Sequence, residues 1–119
     1  MREIRLYLDD MLESISRIRD FVLGMTFDEF VADLKTQDAV LRNLEIIGEA
    51  AGKLPEEIVK DTTQIEWRKI KGLRNLLAHE YFGVDVVIIW DIVENKLAAL
   101  ELACQKLLSS SYGQDSAES

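Results

Sequence analysis

The apolar residues of this chain recur at α-helical spacing in nearly every segment, and few residues interrupt them. In the first segment they alternate at steps of four and three: Ile4, Leu8, Met11, Ile15, Ile18, Val22 and Met25. Such steps keep side chains on one face of a helix, whereas a half-buried strand would need steps of two. One proline and six glycines in 119 residues leave long stretches free to be helical. The sequence therefore predicts an all-α protein.

Capping and turn signals divide the chain into four principal helices and one or two short ones. The predicted helices span 4–25, 26–33, 37–53, 65–81 and 86–107, and Pro55 opens a further helical turn. Thr26 and Glu29 form a capping box, whereas Thr36 and Asp85 are the expected N-caps of two later helices. Gly72 is a candidate kink. An up-and-down bundle of four to five helices is the natural packing of such elements.

The bundle is expected to occupy one domain, residues 1–108, followed by a flexible tail over 109–119. The tail sequence SSSYGQDSAES has no apolar period. Four residues of the third segment, Gly48, Ala50, Ala51 and Gly52, have small or absent side chains, so a neighbouring helix can approach closely there. The stripe on the first helix fits a core face, and it fits a partner chain as well.

Charge and composition set limits on function. With 22 acidic and 14 basic side chains, the formal net charge is −8, which repels nucleic acid and acidic membranes at long range. A phosphate-binding role must come from a local basic patch, and residues 66–82 form one that includes Arg68 and Lys71. The N-terminus is charged and amphipathic, unlike a signal peptide, and no apolar run approaches the length of about 18 residues typical of a membrane span. We expect a cytoplasmic protein.

Several kinds of site are disfavoured by the residue inventory. The single cysteine, Cys104, lies in an apolar stripe and is expected to be a buried, inert thiol. Neither the paired-histidine spacing of metalloenzymes nor a glycine-rich phosphate loop occurs, so we expect no metal and no cofactor. A serine nucleophile would have to use the single histidine, His79, and no serine stands in a nucleophile-elbow sequence.

The segment "GLRNLLAHEYFG", residues 72–83, does not fit a simple amphipathic helix. On a helical wheel Arg74 falls inside the apolar arc, whereas Arg68, Lys71, Asn75 and His79 share the polar side; Arg74 and His79 are about 140° apart. A buried guanidinium is costly, so Arg74 needs a carboxylate such as Glu45 or Glu49, a route to solvent, or a cleft that admits an anion. For His79 the simple alternative is a solvated surface side chain.

Arginine and histidine together suit the chemistry of a phosphodiester. Arginine holds a phosphate through two parallel hydrogen bonds, and histidine transfers a proton near neutral pH. Neither residue alone is specific to that chemistry, and a purely structural helical bundle remains an alternative interpretation.

The motif nevertheless resembles that of a known family. "RNLLAHEYFGVD" fits an R-x4-H-x-Y pattern with Arg74, His79 and Tyr81 in register, and "LRNLEIIGEAAGKLPEEI" at 41–58 is similar to the same family. The chain resembles the HEPN superfamily, specifically HepT-type toxins that pair with an MntA-like minimal nucleotidyltransferase antitoxin in type VII toxin–antitoxin systems. The similarity covers most of residues 4–108.

This resemblance implies a fold, an activity and partners. It implies a HEPN-like bundle that forms a homodimer, in which two motifs meet at a shared cleft and cleave RNA, not DNA, without a metal. Arg74 would bind the scissile phosphate, His79 would act as general acid or base, and Asn75 would support them. Tyr81 would be adenylylated by the antitoxin, and Arg68 and Lys71 are candidate RNA contacts. The alternative is a non-catalytic HEPN module that only binds a nucleotidyltransferase.

Overall fold

A computed structural model of the chain describes residues 3–80 and 86–110, with side chains described for 3–74 and 86–110. These residues form seven α-helices and no strands. In chain order the helices are α1 (Ile4–Val22), α2 (Phe27–Ala32), α3 (Leu34–Gly52), α4 (Glu56–Asp61), α5 (Trp67–Glu80), α6 (Val86–Asn95) and α7 (Leu97–Ser109). The all-α prediction is confirmed.

Helix α3 lies at the centre of the bundle, because it packs against α1 on one side and α5 on the other. Helix α7 packs against α1, and α2 contacts α3. The stripe predicted on the first helix faces this core: Leu8, Met11, Ile15 and Ile18 are fully buried. That position favours the core interpretation of the stripe over a partner chain. Trp90 of α6 joins the core through the ring of Phe30, at a centroid distance of 5.0 Å.

The two N-cap predictions that fall on described residues have different outcomes. Thr26 and Glu29 form the predicted capping box at α2, with both reciprocal hydrogen bonds present. The prediction that Thr36 caps the third helix is wrong, because α3 begins three residues earlier with Asp33 as its N-cap. The Asp33 carboxylate accepts the Thr36 N–H at 3.0 Å, and this bond lowers the pKa of Asp33. Asp85 lies outside the described residues.

The last predicted helix is divided into α6 and α7 at Lys96. The interruption is confined to that residue, since the Lys96 N–H still bonds to the Ile92 carbonyl at 2.9 Å. Neither proline nor glycine occurs there, so the sequence carries no signal for the break. If α6 and α7 are counted as one interrupted helix, the described residues form four principal helices and two short ones. This number agrees with the predicted four principal helices and one or two short ones. Of the predicted tail, 109–119, only Ser109 and Ser110 are described, and Ser109 is the last residue of α7. Residues 111–119 lie outside the described part.

Gly48 is the point of closest approach between α3 and α5. A Cβ added there would lie 2.8 Å from the backbone nitrogen of Arg74 and 3.2 Å from the Ile70 carbonyl oxygen. Such distances are too short for any side chain, so only glycine lets α5 lie this close. The predicted close helix approach is therefore found at Gly48. Helix α5 continues through Gly72, the candidate kink, without a break.

A short hydrogen-bonded chain fixes the start of α5. The buried Trp67 indole N–H donates to the Thr62 hydroxyl at 2.7 Å, and that hydroxyl donates to the Ile58 carbonyl at 2.6 Å. Both Thr62 and Trp67 are buried, so water cannot replace these bonds. These two hydrogen bonds thus anchor the start of α5, the helix that carries Arg74, to the end of α4.

Replacing Thr62 with valine, which has nearly the same shape, leaves the Trp67 indole N–H buried without a partner. We expect the free energy of unfolding to fall by about 1–3 kcal/mol, measured by urea denaturation. Thr63→Val is the matched control. Thr63 is adjacent in sequence but exposed, so this substitution should change the free energy of unfolding by less than about 0.5 kcal/mol. Equal effects from the two variants would show that the Thr62 hydroxyl does not anchor α5.

Cys104 is buried in α7, as predicted. Burial raises the pKa of its thiol to about 12, and the nearby Glu101 carboxylate contributes to the increase. A thiol with this pKa carries almost no thiolate near neutral pH, so it is inert in the folded chain. Among the described helices, none has the length and apolar character needed to cross a membrane.

Candidate functional site

Arg74 is exposed, although the helical wheel places it in the apolar arc. It makes no ion pair with another described residue, and Glu45 instead accepts a hydrogen bond from Arg42 at 2.7 Å. The interpretation of Arg74 as half of a buried salt bridge is therefore wrong. Because the Arg74 side chain reaches solvent, its guanidinium stays hydrated and needs no buried carboxylate.

Arg74 lines a cleft of about 440 Å³ between the C-terminal half of α3 and α5. The lining residues are Gly48, Glu49, Gly52, Lys53, Arg68, Lys71, Gly72 and Arg74. Four of them are cationic and one is a carboxylate, which gives the cleft a net charge of +3 in a chain of net charge −8. The structure thus brings three cations of the predicted basic patch, Arg68, Lys71 and Arg74, into one cleft that attracts anions. Lys69 of that patch lies outside the cleft and pairs with Glu66.

The register of α5 relates this cleft to the remaining motif residues. Measured around the helix from Arg74, the lining residues Lys71, Arg68 and Gly72 follow at about 60°, 120° and 160°. On the same ideal wheel, the register positions of Asn75 and His79 are about 100° and 140° from that of Arg74.

His79 follows Arg74 by about 7.5 Å along the axis, since α5 is continuous to Glu80. The side chains of Asn75 and His79 lie outside the described part of the structure, and so does the whole of Tyr81. Asn75, His79 and Tyr81 remain predictions as site residues, with backbone positions known for the first two.

Two lining residues, Lys53 and Glu49, were not predicted as parts of a binding site, although Glu49 was one of two carboxylates considered as an ion-pair partner of Arg74. Lys53 ends α3, and it is 15 residues from Arg68 in the chain, outside the basic patch at 66–82. Glu49 is four residues before Lys53 and lies one turn away on the same helix face. In the sequence, Glu49 directly follows Gly48 and Lys53 directly follows Gly52. This arrangement indicates a site only once α5 is known to pack against that end of α3.

The described side chains contain no group of three or more histidine, cysteine, aspartate or glutamate residues arranged to hold a metal ion. The cleft itself offers one carboxylate among four cations, a donor set that repels a divalent cation and attracts a phosphate.

Comparison with known proteins gives a consistent assignment. The model of the family described as "Ribonuclease HepT-like" matches residues 11–107. A protein of Methanocaldococcus jannaschii named as a candidate RNase is 43% identical over 114 residues, which cover 96% of this chain and 94% of the relative. A probable ribonuclease HepT of Thermococcus cleftensis is 41% identical over 101 residues, covering 85% and 92%.

A bacterial relative extends the pattern beyond archaea. A candidate RNase of Caldanaerobacter subterraneus is 37% identical over 108 residues, which cover 91% of this chain and 96% of the relative. No solved structure gives a significant match to the chain.

Proposed function

The chain belongs to the HepT-like ribonuclease family, and we propose that it is a metal-independent endoribonuclease whose reacting groups are Arg74 and His79. The observation that carries this proposal is the exposed Arg74, which lines a cationic cleft on the same continuous helix as His79, the single histidine of the chain. We further propose that it acts in the cytoplasm as the toxin of a toxin–antitoxin pair.

Arg74 is the proposed ligand of the scissile phosphate. Its guanidinium is exposed and has no carboxylate partner among the described residues, so no ion pair with them has to be broken when a phosphate binds. Two parallel N–H donors match two phosphate oxygens and stabilise the additional negative charge of the transition state.

His79 is the proposed proton-transfer group. As a base it takes the proton of the ribose 2′-hydroxyl while the 2′-oxygen forms a bond to phosphorus. The bond from phosphorus to the 5′-oxygen breaks, and the imidazolium so formed gives its proton to that oxygen, leaving a 2′,3′-cyclic phosphate and a 5′-hydroxyl. Imidazole suits both roles because it gains and loses a proton readily near neutral pH. Asn75, which directly follows Arg74 on α5, is proposed to orient the phosphate or the imidazole.

A homodimer is proposed to complete the site, with motifs from two chains facing one cleft. Support comes from α6, which follows the motif segment and exposes about half of Val87 and Ile88. Ile88 also borders an apolar groove of about 630 Å³ between α5 and the helices α6 and α7. Exposed apolar side chains next to such a groove are typical of a surface that another chain covers.

Tyr81 is the proposed target of an MntA-like nucleotidyltransferase, which would transfer AMP to its hydroxyl. Tyr81 directly follows α5, the helix that carries Arg74 and His79. A nucleotide attached there adds a bulky anion beside a site that depends on positive charge, so it competes with RNA phosphate. Modification of Tyr81 would therefore silence the toxin.

We expect mass spectrometry of the chain co-expressed with such a nucleotidyltransferase to find one AMP on the peptide that contains Tyr81. Tyr81→Phe should remove that modification and keep the chain toxic in the presence of the partner. Tyr112, in the segment after α7, provides the control position, because Tyr112→Phe should leave modification unchanged. An unmodified Tyr81 in the co-expressed protein would refute this part of the proposal.

The alternative is a non-catalytic HEPN module that binds a nucleotidyltransferase. Growth of a bacterial host that expresses the chain separates the two. If the chain is a ribonuclease, the wild type should arrest growth, and Arg74→Ala or His79→Ala should restore it. Toxicity that persists in both variants would favour the binding module, provided that the variants accumulate to wild-type levels.

A further inference from the structure

The cleft between α3 and α5 contains more charge than the proposed reaction requires. Arg74 suffices to hold the scissile phosphate, yet Lys53, Arg68 and Lys71 line the same space. None of the three makes an ion pair with another described residue, although acidic side chains outnumber basic ones in the chain. Unpaired cations gathered in one cleft of an acidic protein indicate an anionic ligand.

These cations extend away from the reacting pair. Arg68 precedes Arg74 by six residues on α5, which is about 9 Å along the helix axis and opposite in direction to His79. Lys53 faces them from the end of α3. A row of this length can contact more than one phosphate of a single strand, as in grooves that follow a nucleic-acid backbone.

One wall of the cleft differs in chemistry from the other. The charged residues of the α5 wall are all cations, whereas the α3 wall carries Glu49 as well as Lys53. Glu49 has no ion pair with a described residue. A carboxylate repels phosphate and can only accept hydrogen bonds. Along a sugar–phosphate backbone, the donor that repeats beside each phosphate is the ribose 2′-hydroxyl, the group that distinguishes RNA from DNA.

We propose that the α3–α5 cleft holds the backbone of one RNA strand next to the cleaved bond, with phosphates on Lys53, Arg68 and Lys71 and a 2′-hydroxyl on Glu49. The inference rests on the proposed ribonuclease function and adds the binding track and the residue that selects ribose. Gly52, which also lines the cleft, leaves room for the strand, because a Cβ added there would meet nothing within 4 Å.

The test measures binding separately from cleavage. His79→Ala protein, in which cleavage is expected to be slow, is titrated with a fluorescently labelled oligouridine of about 12 nucleotides and with the deoxyuridine strand of the same length. Fluorescence anisotropy over a range of salt concentrations gives the affinity and its salt dependence for each strand.

Removing a cation from the cleft should weaken the binding of the RNA strand and of the DNA strand by the same factor. In the His79→Ala background, Lys53→Gln and Arg68→Gln are each expected to weaken binding roughly threefold to tenfold. Each should also lower the slope of log affinity against log salt by about 0.7, the value of one phosphate contact on a single strand. Lys69→Gln is the matched control, because Lys69 is on α5 but pairs with Glu66 and lies outside this cleft. Equal effects of Lys69→Gln and Arg68→Gln would overturn the binding track.

Removing Glu49 should change selectivity. Glu49→Ala removes a repulsive charge for both strands but removes a hydrogen bond only from RNA, so the ratio of RNA to DNA affinity is expected to fall roughly threefold. Glu45→Ala, with the same charge change one turn earlier on α3 and outside the cleft, should leave the ratio unchanged. An unaltered ratio in Glu49→Ala would overturn the assignment of the 2′-hydroxyl.

Failure of the proposed binding track can be distinguished from failure of the proposed ribonuclease function. Wild-type protein that binds through the cleft without cleaving RNA would refute the ribonuclease proposal and leave the track intact. Wild-type protein that cleaves RNA, with binding that is insensitive to Lys53→Gln and Arg68→Gln, would refute the track alone.

Discussion

Replacing Arg74 with alanine is expected to lower kcat/KM for RNA cleavage by about 10²- to 10³-fold, the usual effect of losing one donor that stabilises transition-state charge. The loss should be simple to interpret, because Arg74 has no carboxylate partner among the described residues that the substitution would leave unpaired. The measurement is initial cleavage rate against RNA concentration, at equal amounts of folded protein.

Arg74→Lys is the informative companion variant. Lysine keeps the positive charge but cannot present two parallel donors to a phosphate. It should recover only part of the activity if the guanidinium geometry matters, and nearly all of it if charge alone matters. Stability should change little in either variant, because Arg74 is exposed. Wild-type rates in Arg74→Ala would remove Arg74 from the mechanism.

Gly48→Ala is expected to damage both stability and activity, although Gly48 carries no reactive group. The added methyl would meet the Arg74 backbone nitrogen at 2.8 Å, so α5 must move away from α3. Such overpacking costs about 1–3 kcal/mol, and the helix propensity of alanine offsets about 1 kcal/mol of it. Because the displaced segment carries Arg74, cleavage by the folded fraction should fall by up to about 10²-fold.

Two other glycines provide stability controls for this prediction. A Cβ added at Gly52, on the same helix, or at Gly72, on α5, would meet nothing within 4 Å. Alanine at either position should therefore leave the free energy of unfolding unchanged or raise it by up to about 1 kcal/mol. If urea denaturation gives Gly48→Ala the same stability as Gly52→Ala, the close approach does not constrain α5.

The elements that the sequence predicts well are those fixed by short-range interactions. The capping box at Thr26 and Glu29 depends on residues three apart, and the stripe on α1 depends on periodicity alone. The N-cap at Asp33 was missed because Thr36 is also a good capping residue, and only the folded helix shows which carboxylate or hydroxyl accepts the bond. The interruption at Lys96 has no local sequence cause.

The site could be predicted only in part, because its shape depends on how two helices pack. The sequence indicates Arg74, Arg68 and Lys71 as phosphate contacts, and the structure brings them to one cleft. The helical wheel placed Arg74 in a buried arc because a wheel carries no information on how the partner helix packs, and in the structure Arg74 lines an open cleft beside α3. Lys53 and Glu49 belong to that partner helix, so no pattern within the motif segment could reveal them.

The central claim, that Arg74 and His79 cleave RNA without a metal, is tested most directly by incubating the purified chain with RNA in EDTA beside the His79→Ala variant. The account predicts that the wild type cleaves and leaves 2′,3′-cyclic phosphate ends, while His79→Ala is slower by about 10²- to 10⁴-fold. Wild-type cleavage that stops in EDTA, or cleavage that continues unchanged in His79→Ala, would contradict it.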